Sequence, residues 1–181
     1  TLSPSDQLRE TLELMARRRR FHKLDYYKPY DYQIKFHHAL GHKTPDRLAM
    51  QRAIIAANKV GKTRCAAMEV AMHLTGRYPD WWRGIRFIGP IDAMVASNTN
   101  DTTRDHVQME LFGDPNDNQA LGSGSVPIDC IGKRTGKQGV PNAFDTVIVL
   151  DKSGGRSKVQ FKAYEQGFKK FMGKERDLIW L

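Results

Sequence analysis

Arg52-Ala53-Ile54-Ile55-Ala56-Ala57-Asn58-Lys59-Val60-Gly61-Lys62-Thr63 is a short apolar run that ends in a Gly-Lys-Thr turn. It reads as a strand feeding a phosphate-binding loop. Downstream, Arg64 to Leu74 is rich in Ala, Met, Glu and Leu, with Ala67, Val70, Ala71 and Leu74 at helical spacing, so the loop opens a helix. Strand, loop and helix in that order are the context a phosphate loop requires.

The chemistry asks for these residue types because a triphosphate is held mainly by backbone amides that converge on one point. A helix N-terminus supplies unpaired N–H groups and the positive end of a dipole. Gly61 lets the backbone approach the phosphates, Lys62 reaches the β and γ oxygens as a mobile charge, and the Thr63 hydroxyl is placed to ligate magnesium. The candidate nucleotide-binding residues are therefore Ala56, Ala57, Asn58, Lys59, Val60, Gly61, Lys62, Thr63 and Arg64, with catalytic roles on Lys62 and Thr63 and the metal on Thr63. The pattern asks for glycine where this chain has Ala56, which fits only if φ there is negative. A Gly-Lys-Thr triplet also occurs in surface turns with a solvated lysine, and the flanking strand and helix set this one apart.

With 181 residues, 40% of them hydrophobic, the chain has enough for one domain with a sizeable core. Twenty-nine Lys and Arg against 20 Asp and Glu give a formal charge of +9, which favours a polyanionic partner. Cys65 and Cys130 form neither a disulfide framework nor a metal spacing, and no signal peptide or long apolar run is present. A reducing cytoplasmic setting and no membrane follow as expectations.

Upstream, Leu8, Leu12 and Met15 recur at helical spacing behind Ser3-Pro4-Ser5, predicting an amphipathic helix that ends in Arg17-Arg18-Arg19-Arg20. That run is either a solvated helix end favoured by the dipole or a contact with nucleic-acid backbone. Next, Tyr30-Asp31-Tyr32-Gln33 places a glutamine on the first turn of a helix, shortly before the phosphate loop. A Gln amide pairs with the N6 and N7 edge of adenine as donor and acceptor, so Gln33 is a candidate adenine reader. His37, His38 and His42 include an i,i+4 pair but no further ligand type, which favours surface histidines over a metal site. Tyr30 and Phe36 read as core aromatics.

Downstream of the loop helix, Gly76 to Trp82 is rich in helix breakers and Ile85 to Gly89 reads as a second strand. Asn98 to Phe112 fits a capped helix, and Gly113 to Gly139 reads as mostly irregular. Thr146 to Leu150 and Val159 to Ala163 predict paired strands around the turn residues Asp151 to Gly155, and Asp177 to Leu181 predicts another strand. Asp151 carries two readings. It ends a strand of four apolar residues, as a magnesium carboxylate does, but Ser153-Gly154-Gly155 makes it the start of a hairpin turn, which is the preferred reading.

Tyr27-Lys-Pro-Tyr-Asp-Tyr-Gln-Ile-Lys-Phe-His37, Ala56-Ala-Asn-Lys-Val-Gly-Lys-Thr63 and Glu69-Val-Ala-Met-His-Leu-Thr-Gly-Arg-Tyr-Pro79 together resemble the large terminase subunit of tailed bacteriophages. So do Phe161-Lys-Ala-Tyr-Glu-Gln-Gly167, Phe171-Met-Gly173 and Asp177-Leu-Ile-Trp-Leu181. The likeness runs along nearly the whole chain. The Glu69–Pro79 segment carries it most specifically, because nothing in nucleotide chemistry demands those residues.

The resemblance implies an α/β P-loop NTPase of the additional-strand class, with a central, mainly parallel sheet flanked by helices. It implies ATP and Mg2+ as cofactors, Gln33 as the adenine reader, and a motor that drives double-stranded DNA into a procapsid in the host cell cytoplasm. Portal protein, small terminase subunit and a homo-oligomeric ring are the partners it implies. Residues 1–45 would carry the N-terminal helix and the Gln segment, and 46–181 the ATPase core. The chain departs from the family in having Asn58 and Lys59 where many members carry a loop arginine, and an ammonium lacks the planar fork of guanidinium. It also lacks the family's acidic motif and nuclease, so it reads as an N-terminal fragment that hydrolyses ATP slowly. Two other classes stay open: a basic DNA-binding module with a vestigial loop, and a small-molecule kinase.

Overall fold

The computed structural model describes residues 3–39, 50–171, 173 and 175–181. Helix α1 (Pro4–Phe21) starts where predicted, with Ser3 as its N-cap accepting from the Asp6 N–H and Pro4 in the first turn. None of its residues is buried: Leu8, Leu12 and Met15 stay exposed. A 3₁₀ turn (Lys23–Tyr26) leads to α2 (Asp31–His37), and α3 (Lys62–Thr75) starts within the Gly-Lys-Thr turn. Ten residues of α3 are buried, so it is the central helix of the core.

Five strands form one sheet in the order β2-β3-β4-β1-β5, with β1 (Asp92–Ser97), β2 (Ile131–Gly136), β3 (Phe144–Leu150), β4 (Arg156–Ala163) and β5 (Leu178–Trp180). The β4-β1-β5 part is parallel and the β2-β3-β4 part antiparallel, so the sheet is mixed rather than mainly parallel. The antiparallel half exists because β3 and β4 are joined by a tight turn, which permits only that orientation. On β4 the burial alternates, with Ser157, Val159, Phe161 and Ala163 buried. Val159 and Phe161 meet Val147, Val149, Ala93 and Val95 in one cluster with Ala67, Val70, Ala71 and Leu74 of α3.

The sequence-predicted strand at 85–89 does not form. The Phe87 N–H is taken by the Tyr78 hydroxyl at 3.0 Å, and its ring packs edge-on against His73 at 5.0 Å, so side chains satisfy that backbone instead of a ladder. The strand that does form is β1, whose Ala93-Met94-Val95-Ala96 is buried throughout, as a strand paired on both sides requires. Sequence patterning missed it, since a short apolar run carries no alternation. The strand expected to feed the loop does not form: the segment 53–57 joins no strand among the described residues, and Ile55 is 97% exposed.

The predicted helix over 98–112 is present as α4 (Asn100–Thr102), a π-helical stretch (Thr103–Gln108) and α5 (Met109–Phe112), with Thr99 as N-cap. The stretch 113–139 is not wholly irregular, because it holds β2. That strand's Lys133, Arg134 and Thr135 are exposed on the sheet edge, and a polar edge strand leaves no hydrophobic signature.

Candidate functional site

The segment 56–64 curls around the start of α3. Gly61, the residue before the helix, is left-handed (φ 87°), and so is Lys59 (φ 62°). Apart from these, Asn142 is the other left-handed non-glycine described, so Ala56 avoids positive φ and its Cβ is tolerated. The first intrahelical bond runs from the Cys65 N–H to the Gly61 carbonyl at 3.0 Å, which leaves the amides of Lys62, Thr63 and Arg64 without intrahelical acceptors.

Lys62 bends back over the loop, its Nζ donating to the Ala56 carbonyl at 2.8 Å and the Ala57 carbonyl at 2.6 Å. Its ammonium is thereby held over the concave side of the loop. Thr63 is exposed on the first turn of α3, and Asn58 and Lys59 are exposed at the tip of the loop. Arg64 points away, toward Glu110 at 3.4 Å.

Helix α2 is fastened to this loop. The Tyr32 hydroxyl donates to the Val60 carbonyl, and Gln33 Nε2 donates to the Gly61 carbonyl at 3.1 Å. Gln33 is buried, and its Oε1 accepts from the Tyr30 N–H at 2.9 Å and the Tyr27 hydroxyl at 3.3 Å. Between α2 and the loop lies an open cleft of about 1170 Å³, lined by Tyr26, Tyr30, Tyr32, Lys28, Lys35 and Arg64 among others. Tyr30, read from sequence as core, is 68% exposed there and stacks against Tyr32 at 6.1 Å.

Asp151 is a turn residue. Its carboxylate accepts the Ser153 N–H at 2.8 Å and its own N–H donates to the Gly155 carbonyl at 3.0 Å. It lies against Gly76, at the C-terminal end of α3, where a Cβ would collide with its carboxylate. Thr63 is at the other end of this 14-residue helix, about 20 Å away at 1.5 Å per residue. The two cannot share a magnesium, whose ligands lie about 2.1 Å from it.

Sequence reading missed the buried polar group beneath the loop. Glu69, in the middle of α3, meets three side chains: Arg52 through both oxygens, His37 Nδ1 at 2.6 Å and His73 Nε2 at 3.5 Å. Burial alone would push its pKa up, but the hydrogen bonds from His37 and His73 and the Arg52 charge outweigh it and bring the carboxyl down to about 2. His37 is thus neither a surface histidine nor a metal ligand. Among the described residues no group of three His, Cys, Asp or Glu is arranged to hold a metal ion, and His42 lies outside them. The signal was available: a carboxylate flanked by Ala67, Met68, Val70 and Ala71 must be buried and therefore paired.

Fold and loop together define a mixed α/β protein with a Gly-Lys-Thr loop set at the start of its central buried helix. The family model described as terminase large subunit, T4likevirus-type, N-terminal, matches residues 53–181, and the chain belongs to the terminase large-subunit family. It is similar to the protein named terminase, large subunit, of Salmonella phage P22, with 32% identity over 199 aligned positions that cover 99% of this chain. The chain spans 38% of the length of that relative. No solved structure matches it.

Proposed function

We propose that this chain is the ATP-binding domain of a P-loop ATPase that powers the packaging of double-stranded DNA by a phage terminase. The observation that carries the reading is the Lys62 ammonium held over the concavity of a loop whose end is the free N-terminus of α3. A triphosphate entering there would take the ammonium from the Ala56 and Ala57 carbonyls and accept from the unpaired amides at 62–64. Tyr26, Tyr30 and Tyr32 offer aromatic faces for a base in the adjoining cleft. Gln33 has one Nε2 hydrogen beyond the Gly61 bond, which would serve a purine N7.

Thr63 would contribute its hydroxyl to a magnesium ion otherwise held by phosphate oxygens and water, the way this cation is usually bound beside nucleotides. The exposed hydroxyl on the first turn of α3 fits that role. Bound there, the ion would neutralise phosphate charge, while Lys62 and the helix N-terminus orient the chain of phosphates.

The test is calorimetric titration of ATP with magnesium into the chain and into Lys62→Ala. Affinity lowered about tenfold or more in a folded variant is expected, and equal affinity in both would overturn the assignment. Arg17 to Arg20 at the end of an α1 without buried residues favour a DNA-backbone contact in the same protein.

A further inference from the structure

The phosphate-loop segment has two roots, and both are tied to one buried carboxylate. At the upstream root, Arg52 pairs with Glu69 and also donates to the Phe36 carbonyl at 3.0 Å. At the downstream root, Gly61 is bonded to Gln33 at 3.1 Å, Gln33 to the Tyr27 hydroxyl at 3.3 Å, Tyr27 to His37 Nε2 at 3.1 Å, and His37 Nδ1 to Glu69 at 2.6 Å.

The direction of the contacts at Gln33 is determined. Oε1 of Gln33 faces the Tyr30 N–H, a donor, so the Tyr27 hydroxyl must also donate to it. The Tyr27 hydroxyl also lies 3.1 Å from His37 Nε2, and His37 Nδ1 lies 2.6 Å from the Glu69 carboxylate. The path is therefore a continuous chain of polar contacts from the loop to the buried carboxylate.

We infer that Glu69, acting through Arg52 on one side and through His37, Tyr27 and Gln33 on the other, is a positioning residue that fixes both roots of the phosphate loop. None of the four intermediaries needs to touch phosphate for this to act. The inference deepens the proposed nucleotide site and rests on that reading for its functional consequence. It also accounts for the middle of the Glu69–Pro79 segment, which nucleotide chemistry itself does not require. His73 supplies a further donor to Glu69, and Tyr78 holds His73 Nδ1 at 2.9 Å.

The experiment uses the isotopically labelled 181-residue chain with Tyr27→Phe, which removes one hydroxyl and keeps the ring, and with Glu69→Gln. In the ligand-free state the amide resonances of Val60 and Gly61 are expected to move in both variants. Affinity for inorganic tripolyphosphate is expected to fall about tenfold, the size of one lost hydrogen bond of average strength. In a Gln33→Ala background, Tyr27→Phe should have no further effect on affinity, because the path is already cut. A purely structural role would instead lower the melting temperature, leave the loop resonances and affinity at wild-type values, and add to Gln33→Ala; that result overturns the inference. If Glu69→Gln fails to fold, Tyr27→Phe decides alone. A wild-type chain that binds no tripolyphosphate refutes the nucleotide reading, and the resonances of Val60 and Gly61 then decide the clamp by themselves.

Discussion

Gln33 Nε2 donates to the Gly61 carbonyl at 3.1 Å, which fastens the first turn of α2 to the residue that opens α3, 28 positions later. One amide therefore has two possible uses, holding the loop and meeting a base. Gln33→Ala is expected to weaken both ATP and tripolyphosphate, and ATP by the larger factor. Competition binding of the two ligands measures it. Equal weakening would leave the bond to Gly61 as the residue's whole contribution.

Lys62→Ala should cost between tenfold and a hundredfold in triphosphate affinity, the range of about 1.5–3 kcal/mol for a hydrogen bond to a charged group. Its partners are two loop carbonyls on an exposed segment. The melting temperature of the variant should accordingly stay close to wild type, as a thermal scan would show.

Glu69 sets an acid limit. Its carboxyl is held at about 2 against an ordinary 4.5, so the folded form binds its proton less readily than the unfolded chain. The stabilisation is fully present above pH about 4.5 and is lost as pH falls toward 2, on the order of a few kcal/mol for a shift of this size. Denaturant unfolding at a series of pH values should show the wild type losing its advantage over Glu69→Gln in that window. A pH-independent difference would mean that the Glu69 carboxyl titrates alike in the folded and unfolded states.

Asp151→Asn should leave magnesium-dependent ATP binding unchanged, since the residue closes the β3-β4 turn at the far end of α3 from Thr63. It should lower stability by about 1 kcal/mol through the weaker Ser153 contact. Calorimetry with and without magnesium separates the outcomes, and a lost metal dependence would restore the carboxylate reading.

Arg18 and Arg20 lie 3.8 Å from Asp25 and 3.9 Å from Asp117, whereas no carboxylate of the described residues stands within ion-pair reach of Arg17 or Arg19. Replacing Arg17 and Arg19 by alanine should reduce the salt slope of double-stranded DNA binding by about 2. Titrations at several ionic strengths would read this directly, and an unchanged slope places the DNA contact elsewhere.

Local signals were strong enough to be read wherever the governing bonds are short in sequence. Ser3-Pro4 begins α1, Gly61-Lys62-Thr63 begins α3, and Asp151 to Gly155 turns β3 into β4, because caps, left-handed glycines and Asx turns close within a few residues. Ile85 to Gly89 failed as a strand for the opposite reason. Its donors and rings found Tyr78 and His73, partners that no periodicity reveals.

The sequence by itself determined the Gly61-Lys62-Thr63 turn, the helix behind it, the basic end of α1 and the family. Only the tertiary structure decided the mixed strand order, the identity of β1 and the burial of His37. It also decided that Glu69 binds both roots of the loop, through Arg52 17 residues before it and His37 32 residues before it. The physical reason is desolvation. A carboxylate inside an apolar helix face must find donors, and which donors it finds depends on what the packed chain brings within 3 Å of it.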